Sequence, residues 1–130
     1  MPMENDPLSR FARSVHIPTG ARDVAGLPWN AHPAFDGVAL KHLLRGEDTG
    51  GAISCHLVRV GPGKALLPHV HDGQWELHEV VSGSGTATID GAAVAYRPGV
   101  SAVIPKGLAH EVTAGEEGLV VFAKFFPALL

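Results

Sequence analysis

The chain has 130 residues, enough for one domain with a sizeable core, and 45% hydrophobic against 18% charged content fits a globular protein rather than a disordered one. A formal net charge of −3 and the lack of any basic run exclude the electrostatic footprint of a nucleic-acid binder. No apolar stretch reaches the roughly 20 residues that a membrane-spanning helix needs, the polar opening segment gives no sign of a signal peptide, and Cys55, the single cysteine, leaves no internal disulfide, so a cytoplasmic protein is expected.

Residues 1–35 carry several prolines and no sustained periodicity, which predicts an irregular N-terminal arm ahead of a single domain over 36–130. Val38–Leu44 is predicted as a strand, with the Gly-rich stretch 46–51 as a hairpin loop. Strands follow over Ile53–Val60, Leu66–His71 and Leu77–Ser82, with turns at Gly61-Pro62-Gly63 and Gly83-Ser84-Gly85. Thr86–Ile89 and Ala92–Tyr96 flank Asp90-Gly91, the dipeptide favoured in a type I′ hairpin turn. Val100–Ile104, Leu108–Thr113 and Leu119–Phe126 complete the series, the last two separated by a turn over 114–118. No segment has the caps and 3.6-residue period of a long helix. So many short strands must close or stack to protect their edges, which predicts an all-β jelly roll or small barrel. Its core is expected from Ile53, Leu57, Val58, Val80, Val81 and Ile89, with Val94, Val103, Ile104, Leu119, Val121 and Phe122.

The chemistry-bearing residues fall in two segments. His69 and His71 are spaced i, i+2, so on a strand they share a face, and Glu76 follows closely. His110 comes from a distant strand. Three imidazoles and a carboxylate suit one first-row divalent ion, such as iron, manganese, zinc, nickel or copper. His78 alternates to the same face as Glu76 and is a candidate acid/base, or else a hydrogen-bonded interior histidine. Trp75 is expected at the pocket mouth, where it would stack on a planar ligand, or packed in its loop. His56 and Arg59 point opposite ways from one strand; His56 is a candidate pocket residue, and an inward Arg59 would imply an anionic substrate. His16, His32 and His42 are expected at the surface, and Cys55 as a small buried residue.

These positions resemble a known family. Gly63, His69, His71, Glu76 and Gly83 stand in the order and spacing of the first cupin motif, and Gly99, Pro105, Gly107 and His110 match the second. The 15 residues between Gly83 and Gly99 resemble the short linker of small microbial cupins. The resemblance covers roughly residues 50 to 126, with the motif core at 63–110. One position departs: the second motif usually has Asn where this chain has Ala114. That Asn is not a ligand, so the metal site is unaffected.

The resemblance implies a double-stranded β-helix, the RmlC-like jelly roll, with His69, His71, Glu76 and His110 as metal ligands at its open end. It implies a mononuclear metalloenzyme acting on a small chelating substrate: a dioxygenase if the ion is iron, an isomerase, lyase or hydrolase if it is zinc, manganese or nickel. The alternative is a non-catalytic module that binds a small molecule or senses metal. Small cupins commonly pair through N-terminal strands. With an apolar last strand (Val120, Val121, Phe122, Phe125, Phe126) that would leave an open edge, this predicts a homodimer.

Overall fold

The computed structural model describes residues 6–130. Asp6 opens a short helix, α1 (Pro7–Phe11), by accepting the Leu8 N–H on its side chain. Strands β1 (Ser14–Ile17) and β2 (Gly20–Asp23) form a hairpin, and a 3-10 turn at Val24–Gly26 leads to β3 (Asn30–Ala31). The arm is therefore more regular than the prolines suggested, because Pro18 falls in the turn between strands instead of within one. The sheet also begins before residue 36, since β3 pairs with β4 (Val38–Leu44). Residues 46–51 are not a plain hairpin loop: one helical turn, α2 (Gly46–Thr49), ends in the left-handed Gly50.

Next come β5 (Ser54–Val60), β6 (Ala65–His69), β7 (Trp75–Ile89), β8 (Ala92–Tyr96), β9 (Ser101–Ile104) and β10 (His110–Phe126). Sheet order is β3-β4-β5-β10-β7-β8, with β6 also on β10 and β9 on β7. Two expected turns are absent. Residues 77–89 form one strand, as do 110–126, and β7 and β10 pair antiparallel along nearly their whole lengths. The glycines read as turns are irregularities within these strands, with the register shifting between Ala114 and Leu119 opposite Gly83–Gly85. Gly83 has φ of 78°, and a Cβ there would sit 2.1 Å from the Gly118 carbonyl oxygen.

These bulges make the fold. Beyond them β10 pairs with β5 through Leu119–Phe125, and β7 pairs with β9 through Glu76–Glu79. On their other side β10 pairs with β6 and β7 with β8. The two long strands thus serve both layers, and the sheet curls over into an all-β jelly roll. The predicted type I′ turn is present, with φ of 49° at Asp90 and 81° at Gly91.

Two apolar clusters result. Val58, Val80, Val112, Val121 and Phe125 fill the space between layers with Tyr96. Leu43, Cys55, Leu57 and Val81 point out of the roll and are covered by Val24, Leu8, Val15 and Trp29 of the arm. β5 is consequently buried on both faces, save Arg59. Among the expected core residues Val103 is misplaced: it is 54% exposed, on the outer side of β9. The last strand is no open edge either. β10 lies between β5 and β7, Val121 and Phe125 point inward, and Val120 and Phe122 pack into the cluster under the arm. The open edge expected there is therefore absent, although Phe126 at the strand's end stays exposed. No helix among the described residues is long and apolar enough to cross a membrane.

Candidate metal centre

The site sits where β6 ends, β7 begins and β10 begins. His69 and His110 are direct cross-strand partners, and their rings lie 4.1 Å apart between centroids. His71 lies two residues beyond the end of β6, not on the strand as its spacing suggested. Its loop is fixed by the Gly107 N–H, which donates to the His71 carbonyl at 3.0 Å. The turn preceding His110 is thereby tied to the loop carrying His71. One ring nitrogen from each of His69, His71 and His110 lies within 4.8 Å of the others. Glu76, on the inward side of β7, brings Oε1 to 3.7 Å from His71 Nε2 and 3.4 Å from His110 Nε2. Three of the expected ligands, the histidines, thus cluster, and the Glu76 carboxylate adjoins two of them.

The hydrogen bonds set the tautomers. His69 Nδ1 donates to the Leu67 carbonyl at 2.7 Å, and His110 Nδ1 donates to the Leu108 carbonyl at 3.2 Å. A neutral imidazole with its proton on Nδ1 carries its lone pair on Nε2, the form a metal takes. His110 Nε2 and Glu76 Oε1 are both buried and without hydrogen-bond partners. Two buried electron-rich atoms facing each other are costly unless a cation lies between them. The donor set therefore fits a divalent transition ion. In its absence burial disfavours a charged His110, yet the adjoining Glu76 outweighs this and raises its pKa. Burial likewise works against an ionised Glu76, but the surrounding His78 and His110 hold its carboxyl well below the usual carboxylate range.

Glu76 is held from behind. Its Oε2 accepts from His78 Nε2 at 2.7 Å, and His78 Nδ1 accepts from the Tyr96 hydroxyl at 2.9 Å. Burial pushes the Tyr96 hydroxyl up, so it stays a protonated donor. Both His78 nitrogens are thus engaged, which leaves none free for the acid/base role expected of it. Tyr96 was not singled out in the sequence, although alternation along Ala92–Tyr96 puts it on the inner face.

The ligands open onto a cavity of about 80 Å³ with apolar walls that include Leu40, Val58, Phe125 and Leu129. His56 lines it as expected, only 2% exposed, with burial first among the causes that lower its pKa to about 4. Its Nδ1 meets His42 Nδ1 at 2.8 Å and its Nε2 meets Ser54 Oγ at 3.0 Å. His42 is accordingly a half-buried partner of His56, and His32 lines the cavity; neither is the surface residue expected. Trp75 is a correction too. It is 41% exposed and does not line the cavity, because it precedes the inward Glu76 on β7 and so points out. Arg59 also points out, its guanidinium 4.2 Å from the Trp29 ring centre, so it implies nothing about substrate charge. A larger pocket of about 230 Å³, with Arg22, Arg45 and His42 on its walls, holds none of the four ligands.

Comparison with known proteins agrees with this geometry. The family model described as a cupin domain matches residues 56–124. No curated protein matches the sequence. Among solved structures, an RmlC-like cupin from Shewanella frigidimarina superposes with a TM-score of 0.73 at 16% identity, covering 91% of this chain and 96% of its own. A predicted oxalate decarboxylase from Thermotoga maritima gives 0.73 at 20% identity, covering 80% and 96%. KdgF from a Halomonas species gives 0.67 at 22% identity, covering 77% and 86%. Such identities speak for the fold alone, but with the family model spanning 56–124 they place the chain: it belongs to the cupin family.

Proposed function

We propose that the protein is a mononuclear metalloenzyme that acts on a small chelating substrate. The observation that carries this reading is the meeting of two unpartnered buried atoms, Glu76 Oε1 and His110 Nε2, beside His69 and His71 at an apolar cavity. These four side chains would hold one divalent ion. When bound, such an ion supplies Lewis-acid polarisation of a carbonyl or, if it is iron, a place for dioxygen. The chain's own contribution is positioning. The Leu67 and Leu108 carbonyls fix the His69 and His110 tautomers, and the Tyr96–His78 pair fixes Glu76. The apolar wall excludes water, and the cavity volume restricts the substrate to a few non-hydrogen atoms. The oxalate decarboxylase among the structural neighbours is named for a small chelating acid, which is in keeping with that size class.

A second reading, a binding or sensing module, is favoured by one observation. His56 and His78 both have their two nitrogens engaged within the protein, so neither is poised for proton transfer.

Metal content separates the site from its variants. Tag-free protein purified without added metal or chelator should carry about one transition ion per chain by plasma mass spectrometry. His69→Ala and His110→Ala should lose most of it while keeping a β-sheet circular dichroism spectrum. Full metal stoichiometry in both variants would sink the four-ligand site. Turnover against a panel of small enols, keto acids and diols then separates the enzyme from the sensor.

A further inference from the structure

His32 lies in the loop between β3 and β4, and it is the third non-ligand polar residue on the cavity wall, after His56 and His78. Those two are fully engaged, His56 by His42 and Ser54, His78 by Tyr96 and Glu76. His32 is not. Its Nδ1 accepts two backbone N–H groups, from Ala34 at 3.0 Å and Phe35 at 3.2 Å. An amide N–H only donates, so Nδ1 carries no proton and the neutral ring must carry it on Nε2. That N–H has no partner among the described hydrogen bonds.

The ring is also fixed in place. The His32 N–H donates to the Val38 carbonyl at 2.8 Å, which closes the loop. The imidazole stacks on Phe35 at 4.5 Å between centroids, and Phe35 in turn packs against the His69 ring at 5.5 Å. The donor is thus part of a rigid unit docked on a metal ligand, in a cavity whose remaining wall is mainly apolar.

We infer that His32 is a substrate-binding residue whose Nε2–H recognises an acceptor oxygen on a ligand held at the metal centre. The ligand class follows: small acids or keto compounds with a chelating pair of oxygens and a further oxygen turned away from the metal. A ligand without that further oxygen gains nothing from that N–H, which disfavours it against one that has the oxygen. This deepens the chelating-substrate reading and rests on it.

Two probes separate the contact from the chelation. Oxalate chelates through one oxygen pair and keeps its outer oxygens as acceptors, whereas acetylacetonate chelates and has no other acceptor. Both are titrated calorimetrically into the zinc-loaded full chain and its His32→Asn variant. Asparagine keeps a side-chain acceptor for the Ala34 and Phe35 amides but is too short to place a donor where Nε2–H stands. Oxalate should bind the variant roughly ten-fold or more weakly, and acetylacetonate within about three-fold of wild type. Nitrogen-15 NMR of histidine-labelled, metal-free protein should show His32 as the Nε2–H tautomer. Unchanged oxalate affinity, equal losses for both probes, or an Nδ1–H tautomer would each overturn the role of His32 while leaving the metal site standing. Wild-type protein that binds neither probe would overturn the chelating-substrate reading, and this contact with it.

Discussion

At the scale of single residues, the histidines divide by what their second nitrogen does. His69 and His110 each spend Nδ1 on a carbonyl two residues back, which frees Nε2 for the centre. His56 spends both nitrogens on protein partners and is buried neutral. That difference has a pH signature. The pKa of His56 falls from an ordinary 6.5 to about 4 in the folded chain. Between these values the unfolded chain binds a proton that the folded one refuses, so stability is full above about pH 6.5 and is lost as pH falls toward 4. The expected loss is on the order of 3 kcal/mol. Urea unfolding of chelator-treated protein at about pH 7.5 and about pH 4.5 should show it, and His56→Gln should flatten the difference. An equally steep fall in the variant would assign the effect to other groups. Cys55 has no comparable role: it packs under the arm, and burial pushes its thiol up.

At the scale of elements, the long strands β7 and β10 decide the architecture, and Gly83 is where they are most constrained. Its φ of 78° and the Gly118 carbonyl 2.1 Å from any added Cβ leave no place for a side chain. Gly83→Ala should therefore cost about 2–4 kcal/mol in urea unfolding, from backbone strain and from parting the two strands. A loss below about 0.5 kcal/mol would mean the bulge relaxes freely. The reading of 83–85 and 114–118 as turns followed from their glycines, since glycine punctuates turns and bulges alike and local sequence does not tell the two apart. The alternation rule served better. It put His78 on the inward face with Glu76 and set His56 opposite Arg59, as found, and it also places Tyr96 on the inner face. It also turns Trp75, the neighbour of the inward Glu76, to the outer face, against its expected place at the pocket mouth.

At the scale of the whole molecule, the arm is part of the fold. Lys41, itself buried, donates to the Val24 carbonyl at 2.8 Å, and Arg22 donates to the Leu43 carbonyl at 2.8 Å while pairing with Asp48. Trp29 lies under both Arg59, at 4.2 Å, and Lys41, at 5.1 Å, and packs into the outer cluster. Trp29→Ala should lower stability by about 1–3 kcal/mol in urea unfolding, from lost packing and lost cation–π contact. A change within about 0.5 kcal/mol would show that the arm is only loosely attached. The arm also supplies the approach to His32, so the segment expected to be irregular contributes both to the core and to the cavity.

The sequence by itself determined the all-β class, most strand positions, the Asp90-Gly91 turn and the clustering of His69, His71 and His110. These are encoded locally, in turn chemistry, in period-two alternation and in motif spacing. Only the tertiary structure decided that the apolar last strand is central rather than an edge, that the arm covers the outer face of β5, and that Trp75 and Arg59 point away from the cavity. It alone decided that the partly buried His32 lines the cavity, that His42 pairs with His56, and that His56 and His78 have no nitrogen to spare. The physical reason is the same in each case. Strand pairing and side-chain hydrogen bonds join residues far apart in the chain, and one residue's local pattern carries no record of which partner it will meet.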